Sequence, residues 1–291
     1  MSLYRGRFAP SPTGPLHSGS LFAALISYLE ARSRQGKWLL RIENVDAQRE
    51  QANAHRSIIE TLQAHSLIWD EEISFQSERS HLYEHALKQL ADQQYTFQCP
   101  CSRKQLKERN GVHLETCNKQ TINQKELVNF ATKFKLLKTE FSWEDGILGK
   151  KHITCQNDFV LKRKEGFYAY QLAVVCDDIA QNITHIVRGS DLLDSTPMQL
   201  ALYNALKVPP PKFSHFPVLL NNQNQKLSKQ TFAQAVNNHT PLKNLLDLFA
   251  LLKLPIPQKP ATTEEALRMA VRLWDKHYIP ATKTLKHQPS V

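Results

Sequence analysis

The stretch that decides the fold is Arg5–Ser20, which is RGRFAPSPTGPLHSGS. An extended run, Leu3–Phe8, leads into a turn with three prolines and one glycine, and an apolar helical pattern over Leu21–Arg34 follows. A strand, a rigid turn and a helix that begins with glycine and serine favour a phosphate site, because the free N–H groups and the macrodipole of the helix point at one spot. On this stretch alone, a proline-rich turn before an ordinary helix remains the alternative.

A second strand is predicted over Lys37–Ile42, KWLLRI, after a helix that stops at Gly36. Glu43 comes directly after this strand. In open α/β sheets, ligands bind in the crevice outside the carboxyl ends of the strands. We therefore expect Glu43 and the turn after Phe8 to face one cavity.

The rest of the chain predicts helices and strands on either side of a polar segment. That segment, Phe97–Gly149, lacks apolar periodicity and is interpreted as an insertion. We expect helices at Ala54–Ser66, at His81–Gln93 with a Ser80 cap and at Asp194–Leu206, a hairpin within Asp158–Val175, a strand at Ile183–Gly189, and mostly helices after Phe232.

Length and composition limit the class of protein. The chain has 291 residues, 41% hydrophobic and 22% charged, which suffices for a sizeable core in two or three subdomains. The apolar run FALLKLPIP is interrupted by Lys253 and Pro255, so no membrane span is expected, and MSLYRGRF lacks the apolar region of a secretory signal. Five cysteines, an odd number, favour a reducing cytoplasm over a disulfide framework.

The formal net charge of +10 concerns partners rather than fold. It favours a polyanionic partner such as a nucleic acid. A basic soluble protein without such a partner is the alternative.

Four potential metal ligands lie within nineteen residues of the polar insertion: Cys99, Cys101, His113 and Cys117. Thiolates and imidazole are the ligands of a closed tetrahedral zinc site. The insertion has few apolar residues of its own, and a bound metal contributes folding energy to such a segment. The pattern therefore predicts one structural zinc ion, with scattered free thiols as the alternative.

Charged and polar residues also lie at or beside the predicted strands. Arg7, Glu43, Tyr170 and Arg188 combine two guanidinium groups with one carboxylate, which suits a ligand with two carboxylates and an ammonium group, such as an acidic amino acid. The loop 226–230, KLSKQ, has two lysines that could contact phosphates. When each feature is considered singly, ion pairs at strand edges remain the alternative for the four residues, and a solvated surface turn remains the alternative for the loop.

Together, RFAPSPTGPLHSG, RIENVD, THIVRGSDLLDSTPMQ and KLSKQ resemble the class I glutamyl-tRNA synthetases along nearly the whole chain. The first stretch looks like the HIGH region of that family and the last like its KMSKS loop. The chain is more similar still to a short paralogous family, the glutamyl-Q tRNA(Asp) synthetases. About sixty residues follow Lys229, too few for an anticodon-binding domain, and the C-x-C…C insertion and the glutamine of KLSKQ also resemble the short family.

The resemblance implies an α/β fold: a Rossmann-like class I aminoacyl-tRNA synthetase catalytic domain with a zinc-containing insertion and a C-terminal helical subdomain. We expect the first half of the catalytic domain at 1–96, the zinc-binding insertion at 97–150, the second half at 151–215, and the KMSKS-like loop with the helical subdomain at 216–291.

Site residues carry over from the family by position. The glutamate pocket would contain Arg7, Phe8, Ala9, Pro10, Ser11, Glu43, Tyr170 and Arg188. ATP would contact His17, Gly19, Ser20, Lys226 and Lys229, of which His17 and Lys229 are the expected catalytic residues. This chain departs from the family at four positions: Ser18 and Ser20 in place of the apolar residue and the second histidine of HIGH, Asn44 in place of aspartate, and His113 in place of tyrosine.

The implied reaction is activation of L-glutamate by ATP with Mg²⁺, independently of tRNA, followed by transfer to queuosine in the anticodon of tRNA(Asp). We expect a cytoplasmic monomer with no membrane contact. Two alternatives remain: a truncated glutamyl-tRNA synthetase that charges the tRNA 3′ end, and a non-catalytic tRNA-binding paralogue. Pyrophosphate exchange distinguishes the latter from the two enzymes.

Overall fold

Two parallel strands and the helix that connects them form the centre of the fold. The computed structural model describes residues 3–109, 117, 130–155, 157–221, 223–227 and 234–286. Strand β1 (Arg5–Phe8) pairs with β2 (Lys37–Ile42), as the sequence predicts, and α1 (Ser18–Ser33) links them. Nearly all of β2 is buried, since parallel strands of an α/β fold are covered on both faces.

The remaining elements follow in chain order. The strands are β3 (Ser74–Phe75), β4 (Thr96–Cys99), β5 (Ala131–Phe134), β6 (Glu140–Asp145), β7 (Gly149–Thr154), β8 (Phe159–Lys162), β9 (His185–Gly189), β10 (Lys212–Phe216), β11 (Val218–Leu220) and β12 (Thr284–Lys286). The helices are α2 (Ala54–Ala64), α3 (Ser80–Asp92), α4 (Arg103–Glu108), α5 (Tyr170–Ala180), α6 (Thr196–Ala205), α7 (Pro241–Leu251) and α8 (Thr263–Leu273). Within the described residues, no helix has the length and hydropathy needed to cross a membrane.

Helix α1 begins three residues earlier than its apolar pattern indicates. His17 is the N-cap, and its Nδ1 atom accepts a hydrogen bond from the backbone N–H of Ser20. At the other end, α1 ends at Ser33, shortly before the stop predicted at Gly36, and Gln35 adopts the left-handed conformation, with φ of 53°. Gly36 allows a close approach of the backbone: a Cβ atom there would lie 2.5 Å from the carbonyl oxygen of Tyr4.

The parallel strands β1, β2 and β9 have their carboxyl ends close together on one side of the fold. The sheet order is β1-β2-β3, and β9 pairs in parallel with β10. Three hydrogen bonds join Arg5 of β1 to Thr184, which precedes β9. Two apolar clusters support this arrangement: one around α1, β2 and the C-terminal helices, the other around α3, α5 and α6.

Two local predictions differ from the structure. The hairpin expected within Asp158–Val175 is reduced to β8 and a single bridge between Lys162 and Tyr168, and Tyr170 begins α5. A continuous apolar run fits a buried strand and a buried helix equally well, so periodicity could not distinguish them. Ser80 is the first residue of α3 and makes no capping hydrogen bond. The mostly helical chain expected after Phe232 contains α7 and α8, and its described part ends with β12, which pairs in parallel with β11.

The inserted region forms its own antiparallel structure. Strands β4, β5 and β8 make one sheet, and β6 and β7 make a hairpin. The boundary expected at residue 150 falls inside β7, and β8 completes a sheet that begins before it. The division into four parts remains a prediction.

Candidate active site

A cavity of about 480 Å³ lies at the carboxyl ends of β1, β2 and β9 and beside the first residue of α5. The structure brings together here seven of the eight residues predicted for the glutamate pocket: Arg7, Phe8, Ala9, Ser11, Glu43, Tyr170 and Arg188. Pro10 is the exception and lines a neighbouring cavity. Its carbonyl oxygen accepts a hydrogen bond from the backbone N–H of Glu43 at 3.0 Å, which ties the turn after β1 to the end of β2.

Arg7 is held by a buried carboxylate. Its Nε atom lies 3.0 Å from Oδ1 of Asp178, and Nη1 of Arg41 lies 2.8 Å from the same oxygen. Burial opposes the charge on Asp178, but the two guanidinium groups outweigh it and lower the pKa of that carboxyl. The Nε edge of the Arg7 guanidinium group is therefore already bonded within the protein.

Glu43 is the acidic group of the cavity. Its side chain is 8% exposed, and Oε1 lies 3.4 Å from Nη2 of Arg41. Burial raises the pKa of Glu43 to about 6, although Arg41 and Arg7 favour its charged form. An ammonium group in the cavity would stabilise this carboxylate further.

Arg188 does not present the open fork that the sequence suggests. Its Nε donates to His215 at 3.0 Å and its Nη1 to Gln199 at 2.7 Å. Its Nη2 donates to Thr196 at 2.9 Å and to the carbonyl oxygen of Leu192 at 3.3 Å. Because a guanidinium group has five N–H bonds, these contacts, which are those among the described residues, leave one N–H, on Nη1, for a ligand.

Sequence reasoning missed the acidic residues that support the cavity from α5. Asp178 contacts Arg7 and Arg41, while Asp177 accepts hydrogen bonds from Gln76, Arg79 and Tyr83. The signal was available as two aspartates in the apolar run LAVVCDDIA and one arginine in KWLLRI. Buried charges are rare unless paired, so such residues point to partners elsewhere in the chain.

A second cavity, of about 750 Å³, adjoins the first at the start of α1. His17, Gly19 and Ser20 line it, which places three of the predicted ATP contacts together. The Nε2 atom of His17 lies 3.1 Å from the hydroxyl oxygen of Ser20. A Cβ atom on Gly19 would lie 3.1 Å from the His17 ring and 3.4 Å from the carbonyl oxygen of Leu227, so only glycine fits there without displacing a neighbour.

Lys226 lines the second cavity from the opposite side, where its Nζ lies 2.5 Å from Oδ2 of Asp191. Residues 228–230 of the KLSKQ loop, which include Lys229, lie outside the described residues.

Three of the four predicted metal ligands come together away from both cavities. The sulfur atoms of Cys99, Cys101 and Cys117 are buried and lie within 4.8 Å of one another. The sulfur atoms of Cys101 and Cys117 are 3.6 Å apart, close to the roughly 3.8 Å between thiolates on a tetrahedral zinc ion with Zn–S bonds of about 2.3 Å. The three thiols therefore fit zinc. His113, the fourth predicted ligand, lies outside the described residues.

Comparison with known proteins agrees with this geometry. The family described as tRNA synthetases class I (E and Q), catalytic domain, matches residues 4–248. The fold is similar to that of a glutamate tRNA ligase from Elizabethkingia meningosepticum, solved in complex with its amino acid, with a TM-score of 0.81. The two are 25% identical, and the match covers 99% of this chain and 68% of that one. The fold and the site thus define a ligase of the class I aminoacyl-tRNA synthetase type.

More similar relatives cover nearly the full length. A glutamyl-Q tRNA(Asp) synthetase from Vibrio vulnificus is 39% identical over 282 residues, which are 95% of this chain and 91% of the relative. Another from Colwellia psychrerythraea is 42% identical over 294 residues, 95% of this chain and 92% of the relative. The chain belongs to the glutamyl-Q tRNA(Asp) synthetase family, and the resemblance seen in its motifs is confirmed.

Proposed function

We propose that this enzyme activates L-glutamate with ATP in the absence of tRNA and then transfers it to queuosine in the anticodon of tRNA(Asp). In the first step, an oxygen of the α-carboxylate attacks the α-phosphorus of ATP, and pyrophosphate leaves. In the second, a hydroxyl of the cyclopentenediol ring of queuosine attacks the carbonyl carbon of glutamyl-adenylate. AMP leaves, and the hydroxyl proton is released.

The main support for the proposal is that one buried carboxylate, Glu43, and two buried guanidinium groups, Arg7 and Arg188, line the same cavity. Glu43 would bind the ammonium group of the substrate, while Arg7 and Arg188 would bind its acidic groups. A shorter or neutral side chain would leave a buried guanidinium group without its partner, which costs about 1–3 kcal/mol. This cost would select glutamate over aspartate and glutamine.

The adjoining cavity supports the ATP half of the reaction. His17, Gly19 and Ser20 at the start of α1 would contact ATP, because the first N–H groups of a helix favour anions. Lys226 and Lys229 would meet the phosphates, and a Mg²⁺ ion bound with ATP supplies further positive charge. Two anions must react, so positioning and charge stabilisation are the expected sources of catalysis.

Activation is tested by glutamate-dependent exchange of pyrophosphate into ATP without RNA. Aspartate and glutamine should be poor substrates in the same assay. Exchange as fast with glutamine as with glutamate would contradict the assignment of Arg7 and Arg188, and no exchange with any amino acid would indicate a non-catalytic paralogue.

The RNA acceptor follows from the family relationship and from the net charge of +10. The anticodon loop would enter the cleft, where an unstacked base can be splayed out and read. The test uses an anticodon stem-loop of tRNA(Asp) that contains queuosine, with the same stem-loop containing guanosine as the matched control. Labelled glutamate should appear only on the first.

The tRNA 3′ end gives the opposing test. Enzymatic removal of the terminal adenosine from queuosine-containing tRNA(Asp) should leave transfer unchanged. If transfer is lost with that adenosine while an unmodified anticodon is tolerated, the protein charges the 3′ end instead.

We also propose that Cys99, Cys101, His113 and Cys117 hold one structural zinc ion. The buried cluster of three thiols supports this, together with the short spacing of all four residues. His113 is assigned from the sequence alone.

A further inference from the structure

Arg188 is the near end of a chain of buried hydrogen bonds that leads out of the glutamate cavity. Its Nε donates to Nε2 of His215 at 3.0 Å, and Nδ1 of His215 lies 2.5 Å from Oδ2 of Asp145. Arg188 and His215 are register partners on β9 and β10. Asp145 ends β6, the first strand of the inserted hairpin. All three side chains are at most 5% exposed.

The hydrogen bonds fix which nitrogen of His215 carries the proton. A carboxylate can only accept, so Nδ1 is protonated toward Asp145, and Nε2 is left with a lone pair that faces Arg188 and, at 3.2 Å, the hydroxyl of Thr196. Burial lowers the pKa of His215, which keeps the ring neutral although Asp145 favours its protonation. Burial also opposes the charge on Asp145, but hydrogen bonds from His215 and from the Leu148 backbone lower its pKa to about 2.

Asp145 is itself held rigidly. Its Oδ1 atom accepts hydrogen bonds from the backbone N–H groups of Ile147 at 3.1 Å, Leu148 at 3.0 Å and His215 at 3.1 Å. The carboxylate therefore cannot rotate without breaking three contacts. Its other oxygen is left to face the His215 ring.

We propose that Asp145 and His215 are positioning residues for the amino-acid substrate, and that they aim the remaining N–H of Arg188 at an acidic group of glutamate. The inference rests on the proposed glutamate activation. Its consequence is that the inserted hairpin, which supplies no lining residue to the cavity among those described, sets the affinity for glutamate. A buried polar network with a purely structural role would change stability without selecting between the two substrates.

The Asp145→Asn variant tests this by reversing the direction of the hydrogen bonds. The three backbone N–H groups require the amide oxygen, so the amide NH₂ must face Nδ1 of His215. The ring then carries its proton on Nε2, where the hydroxyl oxygen of Thr196 at 3.2 Å can accept it, and the Nε–H of Arg188 loses its acceptor. We expect the KM for glutamate in pyrophosphate exchange to rise roughly tenfold or more, with the KM for ATP changed less than about twofold.

Two further variants make the test independent of a folding defect. The matched control is His65→Asn, which removes another fully buried histidine that bonds to Thr61 and Asn244, away from both cavities. It should lower the melting temperature and leave the KM for glutamate unchanged. His215→Gln replaces the ring with a side chain whose oxygen can still accept from Arg188. Its KM for glutamate should rise only a few-fold. If Asp145→Asn does not fold, His215→Gln serves as the test variant instead.

The double variant checks the direction of the hydrogen bonds. Glutamine, like histidine, offers one donor and one acceptor, so Asp145→Asn with His215→Gln still leaves one pair of donors opposed, and its KM for glutamate should be no lower than that of Asp145→Asn alone. The inference is overturned if the folded variants keep the wild-type KM for glutamate, or if the KM values for ATP and glutamate rise equally. Absence of glutamate-dependent exchange in the wild-type protein would instead overturn the proposed function, which keeps the two failures distinct.

Discussion

The two cavities share a wall at Phe8, Ser11 and Leu192, yet they are built in different ways. In the first, charged side chains that are distant in sequence meet in the interior, as Arg7 and Asp178 do across 171 positions. In the second, His17 and Ser20 are three residues apart, and Lys226 pairs with Asp191 near the surface. The proposed amino-acid site therefore depends on tertiary packing, whereas the proposed nucleotide site takes three of its predicted contacts, His17, Gly19 and Ser20, from one contiguous stretch.

The strongest test of this difference is Asp178→Asn. It leaves two buried guanidinium groups, Arg7 and Arg41, without a full countercharge, so we expect a loss of about 3–5 kcal/mol in the free energy of unfolding. Denaturant titration measures it. The matched control is Glu71→Gln, a carboxylate that also contacts two cations, Arg5 and Lys37, but is 38% exposed. It should cost less than about 1 kcal/mol, and equal losses would contradict the distinction between the two regions.

Among the predicted ATP contacts, Lys229→Ala should affect the reaction rather than stability. We expect the rate of pyrophosphate exchange to fall on the order of a hundredfold, as when one preorganised donor to a developing charge is lost. The KM for glutamate and the melting temperature should change little. Lys226→Ala should have a smaller effect, because that ammonium is already paired with Asp191. Unchanged turnover in Lys229→Ala would make the KLSKQ loop a surface turn.

Acid should weaken the first cavity selectively. With a pKa of about 6, Glu43 loses its charge as pH falls, so the affinity for glutamate should drop about tenfold between pH 7 and pH 5. Stability responds in the opposite direction: because the folded-state pKa lies above its ordinary 4.5, the contribution of Glu43 to stability is lost as pH rises from 4.5 to 6. Glu43→Gln should remove both dependences. An affinity for glutamate that is flat from pH 7 to 5 would contradict the role of Glu43.

A smaller effect is expected where Ser20 replaces the second histidine of the HIGH region. Ser20→Ala removes the hydroxyl that contacts His17 but leaves the backbone N–H that donates to the same ring. The KM for ATP should rise about two- to tenfold, the value of one hydrogen bond, while the KM for glutamate stays constant. Ser33→Ala, at the other end of α1, is the control and should change neither. A shift in the KM for glutamate alone would show that the two cavities are not separable in this way.

The least effect on activation is expected from Cys101→Ser, which lies outside both cavities. Elemental analysis should find about one zinc per wild-type chain and a loss of metal in the variant. Exchange with glutamate should stay close to the wild-type rate. Full metal content in the variant would exclude Cys101 as a ligand.

The sequence alone determined the elements whose information is local. The strand Lys37–Ile42, the turn and helix around His17, and the cysteine cluster all follow from periodicity, turn residues or short ligand spacing. Seven of the eight predicted glutamate-pocket residues meet in one cavity, because the carboxyl ends of neighbouring parallel strands converge.

Tertiary structure decided what those residues can do. The run around Tyr170 became a helix because packing, not periodicity, chose between two equally apolar elements. That helix brought Asp177 and Asp178 under the cavity, and the hairpin brought Asp145 to His215. A charged side chain in the low-dielectric interior needs a partner, and that partner can lie far away in the sequence. The spacing of residues along the chain therefore does not show which charged groups are close in the folded protein. For this reason the Arg188 guanidinium group, which the sequence predicts to bind the substrate, keeps one N–H that is not bonded within the described part of the chain.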